Sequence, residues 1–280
     1  MWAEFKHTLR RMRWQIGGWS LGIALYILLM VFFYPSMADM GEMLDQYLSM
    51  FPEAMLAFFE NISAINTPMG YLDVYFFSYM HLIIGILAIS GAVNLLVGDE
   101  EKGLLDLVLA QPVSRTSLFY GRLLALLTAL VMILFVGWLS WVIPAGRVGF
   151  ALTWSQLLRP FISLFAVLML FAALALLFSL ILPAARLANL LTGALLVGNF
   201  LLMGLANLNE NLRQVMNYTP LHYYQGGTAV EGINGRWLFA LLAAALLIIG
   251  TAWLLFLRRD IRVGGERSWK LSALWLRSHA

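Results

Sequence analysis

Long apolar runs separated by short polar breaks dominate the chain, at about residues 14–33, 74–97, 118–143, 157–182, 187–205 and 237–257. Each is close to or above the roughly 20 residues with which a helix crosses a hydrocarbon core. The pattern predicts an all-α polytopic membrane protein with six transmembrane helices, and a single domain over 1–280, since no period of about 20–50 residues repeats. The polar breaks carry signals of their own. Trp2, Phe5, Leu9 and Met12 recur at helical spacing among Lys6, Arg10, Arg11 and Arg13. This reads as a basic amphipathic helix on the membrane surface, with a frayed basic tail as the other reading. Residues 34–72 contain no Lys or Arg but hold Asp39, Glu42, Asp45, Glu53 and Glu60. Met40, Met43, Leu44, Tyr47 and Phe51 follow helical spacing there, and Pro52 opens a second short helix. Asn66-Thr67-Pro68 is a turn signal. This pair of helices is a structural cap over the spans or a substrate lid. Pro144-Ala145-Gly146 breaks the third run, and Pro183 ends the fourth.

Composition narrows the class. The chain is 61% hydrophobic and 12% charged, against about half and about a quarter in soluble domains. So much apolar surface does not fit inside a water-facing fold of this size. No cysteine is present, so neither a disulfide framework nor a thiolate metal site is expected. The first run is long enough to span, which argues against a cleavable signal peptide. With both termini inside, only Arg147, Arg159, Arg213 and Arg236 of the 18 Lys and Arg residues fall outside. The positive-inside rule therefore predicts cytoplasmic termini. The basic segments are short and flank apolar spans, which suits membrane anchoring rather than nucleic acid.

Catalytic chemistry has little support. No P-loop, H-E-x-x-H, G-x-S-x-G or His cluster occurs. His7, His81, His222 and His279 are scattered, and His81 alone lies inside a span. An intramembrane imidazole is a functional candidate, or a neutral group bonded to a neighbouring helix; both readings stand. Gly18-x-x-x-Gly22 in the first span would let another helix approach closely.

The most informative stretch is Gly98–Arg122, GDEEKGLLDLVLAQPVSRTSLFYGR. Asp99 is a good N-cap, and Glu100 and Glu101 suit the positive end of a helix dipole. Leu104, Leu105, Leu107 and Val108 form an apolar side, while Lys102 and Asp106 stay polar. Gln111-Pro112 ends the helix, and Ser114 can cap span three. Physics alone leaves two readings: an ordinary interfacial loop helix or a docking helix.

This stretch resembles the signature of ABC-2 type permeases, the membrane subunits of ATP-binding-cassette exporters. Gly103, Leu105, Leu109, Pro112, Val113, Ser114, Arg115 and Arg122 match it; Leu104 and Asp106 depart from the usual Thr and Glu. The segments YPSMADM…FPEAMLAFF and NYTPLHYYQGG, with Pro220, are also similar to parts of that family. The resemblance implies a coupling helix after span two that sits on a separate ATPase, with Asp99, Glu100, Glu101, Lys102, Gly103, Leu104, Asp106, Leu107, Gln111, Pro112, Val113, Ser114 and Arg115 as coupling residues. It implies alternating access for export or efflux, in a prokaryotic cytoplasmic (inner) membrane. ATP and Mg would bind the partner ABC-type ATP-binding subunit, with no cofactor on this chain. A second permease copy would complete a homodimer or a heterodimer.

On span five, Asn189, Thr192 and Asn199 share one helical stripe that Asn207 extends. Polar groups at membrane depth are costly unless paired or facing a wet cavity. The resemblance also sets spans two and five beside the central path. Asn189, Thr192, Asn199, His81, Ser90 and Asn94 are therefore transport-path candidates, and interhelical hydrogen bonding is the competing explanation. The absence of a proton-relay chain of acids suits an amphipathic or lipid-like cargo. Two other functions compete: an ATPase-coupled module that senses or extracts a membrane-bound antibiotic or lipid without full translocation, and a lipid-acting membrane enzyme, which lacks a catalytic constellation.

Overall fold

The computed structural model of the chain describes residues 1–40, 43, 46, 48–56, 58, 62–101 and 113–258. Among them the secondary structure is helical, without strands. Helix α1 (Trp2–Arg11) is the amphipathic helix expected ahead of the first span, α2 (Arg13–Ala38). Helix α3 (Pro68–Asn94) is the second span, followed by the short α4 (Val97–Glu101). Helices α5 (Arg115–Ala145), α6 (Trp154–Ile181) and α7 (Ala185–Ala206) are spans three to five. A short α8 (Glu210–Met216) precedes the sixth span, α9 (Gly235–Arg258). All six spans are long and apolar enough to cross a membrane.

Local chemistry sets the ends. Thr67 Oγ1 accepts from the Gly70 N–H at 3.2 Å, and Pro68 occupies the first turn. Span two thus begins at Pro68, ahead of the expected Val74, because a cap and a proline outweigh the polarity of Asp73. The helix loosens to π geometry over Asp73–Phe77. It ends at Asn94 rather than Val97, which instead opens α4. Thr153 and Gln156 form a capping box at the start of α6, and Ser114 accepts from the Ser117 N–H at 3.2 Å at the start of α5, as expected. Helix α5 ends within Pro144-Ala145-Gly146, as expected, with Pro144 in its last turn and Gly146 as its C-cap.

Helix α6 is the centre of the bundle, packing against α3, α5, α7 and α9. Of its most apolar stretch 72% is buried, against 22% for α2 and for α9. The outer helices thus show apolar side chains such as Leu25, Phe32, Leu190 and Leu247 to their surroundings, as lipid-facing helices do. Helices α3 and α7 interlock: a Cβ on Gly85 would lie 2.5 Å from Leu196 Cδ2. Gly18 and Gly22 face open space, so the close approach expected there is not made within the described chain.

One end of the bundle gathers α1, α4 and the ends of α7 and α9 that adjoin them; we call it proximal. At the opposite, distal end the π turn is a fastening point. Asp73 Oδ1 accepts from the Gly227 N–H at 2.6 Å, and the Tyr224 hydroxyl donates to the Phe77 carbonyl at 2.9 Å. Gly226 has φ +46°, and a Cβ on Gly227 would meet Asp73 Cβ at 2.4 Å. The Tyr71 hydroxyl donates to the Met30 carbonyl at 2.7 Å, tying span two to span one. Arg159 Nη1 donates to the Val230 carbonyl at 2.9 Å.

Candidate functional site

The residues that join separate elements most strongly lie at the proximal end. Asp99 is 4% exposed and Arg122, on α5, is 3% exposed. Arg122 Nη1 is 2.7 Å from Asp99 Oδ2, and Arg122 Nε is 3.6 Å from Glu4 Oε2 on α1. Arg11 Nη1 donates to Asp99 Oδ1 at 3.0 Å. Arg122 Nη1 also donates to the Leu95 carbonyl at the end of span two. Two buried charges are thus balanced by partners and hydrogen bonds, the condition under which burial is tolerated. α1 can lie close because position 121 is glycine: a Cβ there would lie 2.8 Å from the Met1 carbonyl oxygen.

Two further contacts flank residues 102–112. Glu101 Oε1 accepts from the Ala185 N–H at 2.9 Å, at the first turn of α7. The adjacent Ala184 supplies no side-chain cap. A carboxylate at a helix N-terminus meets both the unpaired N–H groups and the positive dipole end. On the other flank, Arg115 Nη1 donates to the carbonyls of Phe256 and Leu257, at 3.4 and 3.2 Å. There a cation meets the last carbonyls of α9, again with the favourable polarity. The two borders of one connection therefore hold the start of span five and the end of span six.

The expected coupling residues divide accordingly. Lys102, Gly103, Leu104, Asp106, Leu107, Gln111 and Pro112 lie outside the described residues. Asp99 was expected as an N-cap; it sits inside α4, and its carboxylate turns inward to Arg11 and Arg122. Glu100 is buried and engaged within the chain. Val113 packs on the core, Ser114 caps α5 and Arg115 caps α9. Sequence reasoning missed Glu4, Arg11 and Arg122 as partners. The available signal was that Arg115 and Arg122 lie seven residues apart, on one face of span three.

Within the spans the polar candidates behave differently. Ser90, Asn94, Thr192 and Asn199 each donate to the carbonyl four residues earlier in their own helix, at 2.6, 2.8, 2.8 and 2.7 Å. Thr192 is fully buried. Asn189 and Asn199 are half-buried, each with a buried Oδ1 lacking a partner among the described residues. Asn94 is exposed. His81 is buried, with Nδ1 3.4 Å from the Phe77 carbonyl, and its Nε2 lacks a partner among the described residues. Its ring lies 5.7 Å from Phe200 of α7 and 5.2 Å from Tyr224. The structure thus brings His81 to the junction of α3, α7 and the distal segment, and leaves Ser90 and Asn94 on a more open face. No group of three or more His, Cys, Asp or Glu fit to hold a metal ion occurs among the described residues.

The family model described as an ABC-2 family transporter protein matches residues 1–261. The chain belongs to that family. No curated protein matches it. As an ABC-2 family member it is a permease subunit, the multi-pass membrane component of an ABC transporter that associates with an ATP-binding subunit.

Proposed function

We propose that this ABC-2 permease exports its substrate by alternating access, driven by ATP hydrolysis on a separate subunit that docks on the connection between Glu101 and Arg115, within the stretch 98–122. ATP and Mg bind that partner, and the proximal end faces the cytoplasm of a prokaryotic cell, as the distribution of Lys and Arg favours. The observation that carries the reading is the pair of caps on either side of the docking segment, Glu101 on span five and Arg115 on span six. Motion of the segment pulls on both helix ends, while Asp99 and Arg122 bind the same segment to α1 and spans two and three. The work is transmitted only if these contacts differ between the two states.

Two copies of the permease complete the path. Supporting this are the open faces of Gly18 and Gly22 and the apolar faces of α2 and α7. Asn189 and Asn199, half-buried on span five, turn to the wet path or the second copy when the transporter assembles and their Oδ1 atoms find partners there; unpaired burial of such atoms is unfavourable.

The test is co-expression of the tagged chain with its genomic neighbours, gentle purification and transport into sealed vesicles. A P-loop ATPase should co-purify and be lost on charge reversal at Lys102 and Asp106. Glu101→Ala should keep the ATPase bound but uncouple hydrolysis from transport. A stable chain that brings no ATPase from a strain expressing one would overturn the docking assignment.

A further inference from the structure

A second site lies at the distal end, away from the caps; it adjoins the end of the span-five stripe at Asn207 and shares Tyr224 with the surroundings of His81. A cavity of about 330 Å³ opens between the end of α7, α8, two 3-10 turns (Pro220–Tyr223 and Gly226–Val230) and the start of α9. Its chemistry is one-sided. Arg213, His222, Asn217 and Asn207 line it and bring donors; Trp237 and Met216 supply apolar wall. Its lining residues bring one guanidinium and no carboxylate. Arg213 forms no ion pair among the described residues. The aromatic wall is ordered by packing: the His222 and Trp237 rings lie 5.1 Å apart, and Tyr223 stands edge-on to both.

Two further features define what fits. Ala206 ends span five and Trp237 lies in the first turn of span six, so the cavity sits where spans end, at headgroup height. Its volume suits a headgroup rather than a whole lipid, since a water takes about 30 Å³ of liquid. An arginine fork beside amide donors matches a phosphate oxygen pair.

We propose that this cavity binds an anionic phosphate group, carried by a phospholipid headgroup of the facing leaflet or by a soluble phosphate ester. The site is independent of the coupling mechanism, because binding is read on the purified chain without an ATPase. A failure here leaves that mechanism standing.

The test has two arms, both on the full chain in detergent. Calorimetric titration with glycerol phosphate reads the soluble source. Native mass spectrometry after delipidation and addition of dioleoylphosphatidylglycerol, with dioleoylglycerol as the phosphate-free control, reads the lipid source. Binding in the first arm assigns a solute site; retention of the phospholipid alone assigns a lipid site. In either case Arg213→Gln should weaken binding about tenfold or more, the scale of a lost charge-assisted hydrogen bond. Arg236→Gln and Arg147→Gln, exposed cations outside the lining, should change it less than about twofold, as screened surface charges do. Asn217→Ala, which removes a donor without touching a charge, should weaken binding several-fold. No binding in either arm overturns the proposal. So does unchanged binding in both Arg213→Gln and Asn217→Ala, or equal loss in Arg236→Gln.

Discussion

The proximal end and the membrane-embedded stretches use polar side chains in opposite ways. At the proximal end Asp99, Arg122, Glu101 and Arg115 each reach to another element, joining positions 23 to 142 residues apart in the chain. Inside the spans Ser90, Asn94, Thr192 and Asn199 bond to their own helix, four residues back. The difference is physical. A charge near the interface is solvated in the unassembled state and gains by meeting a helix end or a counter-charge. A hydroxyl or amide at membrane depth has no water to fall back on, so it takes the nearest carbonyl of its own helix. Long-range organisation by charged groups is therefore concentrated at the ends, while the middle is organised mainly by shape, as where Leu196 fills the space beside Gly85; the Tyr26 hydroxyl of span one, bonded to the Tyr75 carbonyl and the Tyr79 hydroxyl of span two, is the exception.

The comparison breaks first, and with the largest effect, at the buried pair. Asp99→Ala leaves Arg122 buried with Glu4 at 3.6 Å as its remaining acid. By the rule for half-removed buried pairs the loss is roughly 3–5 kcal/mol. It should appear as a large drop in unfolding midpoint in detergent. A drop no larger than that of an exposed charge substitution such as Arg147→Ala would show that the pair is not an anchor. Arg122→Ala combined with Asp99→Ala should be less destabilising than the two single losses added together, because both partners are then gone.

Next comes the distal fastening. Gly227→Ala forces a methyl to within 2.4 Å of Asp73 Cβ, and overpacking of that kind costs about 1–3 kcal/mol. Gly193→Ala, at a helical position with nothing within 4 Å, should be neutral or stabilising by up to about 1 kcal/mol. The ratio of the two unfolding midpoints checks the assignment. Equal shifts would mean that the Asp73 contact is not tight.

The same contrast explains what the sequence made legible. The spans were legible because hydropathy is a one-dimensional property: all six expected runs lie in observed helices to within a few residues, apart from the start of α3. Ser114 was legible because a cap is satisfied three residues away. Asp99 was misread for the complementary reason. It has good local capping chemistry, and partners at Arg11 and Arg122, 88 and 23 residues distant, outcompeted it. Glu101 and Arg115 were expected to face a partner protein, and their bonds to Ala185 and to Phe256 and Leu257 follow only from the helix packing. The start of span two was hidden because Asp73 lowers the local hydropathy, while its carboxylate is satisfied by the Gly227 N–H.

A smaller effect on stability is expected at the flank of the segment between spans two and three. Glu101→Ala removes the cap from α7, a loss of about 1 kcal/mol for a typical helix. Glu101→Gln keeps an acceptor oxygen but drops the charge that favours the helix N-terminus, so its loss should be about half as large. Transport should respond far more than stability if the cap carries motion to span five. Equal transport by wild type and Glu101→Ala, at equal ATPase occupancy, would confine the cap to folding.

The smallest expected stability effect is at Asn199. Its amide donates to the Leu195 carbonyl of its own helix at 2.7 Å, so no tie to another helix is lost on its removal, and even ties between packed membrane helices average only about 0.6 kcal/mol. Asn199→Ala should therefore leave the unfolding midpoint nearly unchanged, as should Thr192→Val, whose hydroxyl donates to Ala188. The two substitutions separate on transport. Thr192 is sealed inside the bundle, so its replacement should leave transport intact. Asn199 carries a buried oxygen without a partner among the described residues, one position from the Phe200 ring that lies 5.7 Å from His81. If that oxygen serves the path, Asn199→Ala lowers substrate-stimulated ATPase activity while Thr192→Val does not. If both variants behave as wild type, the oxygen's role lies in helix packing, and the polar groups of span five are structural throughout.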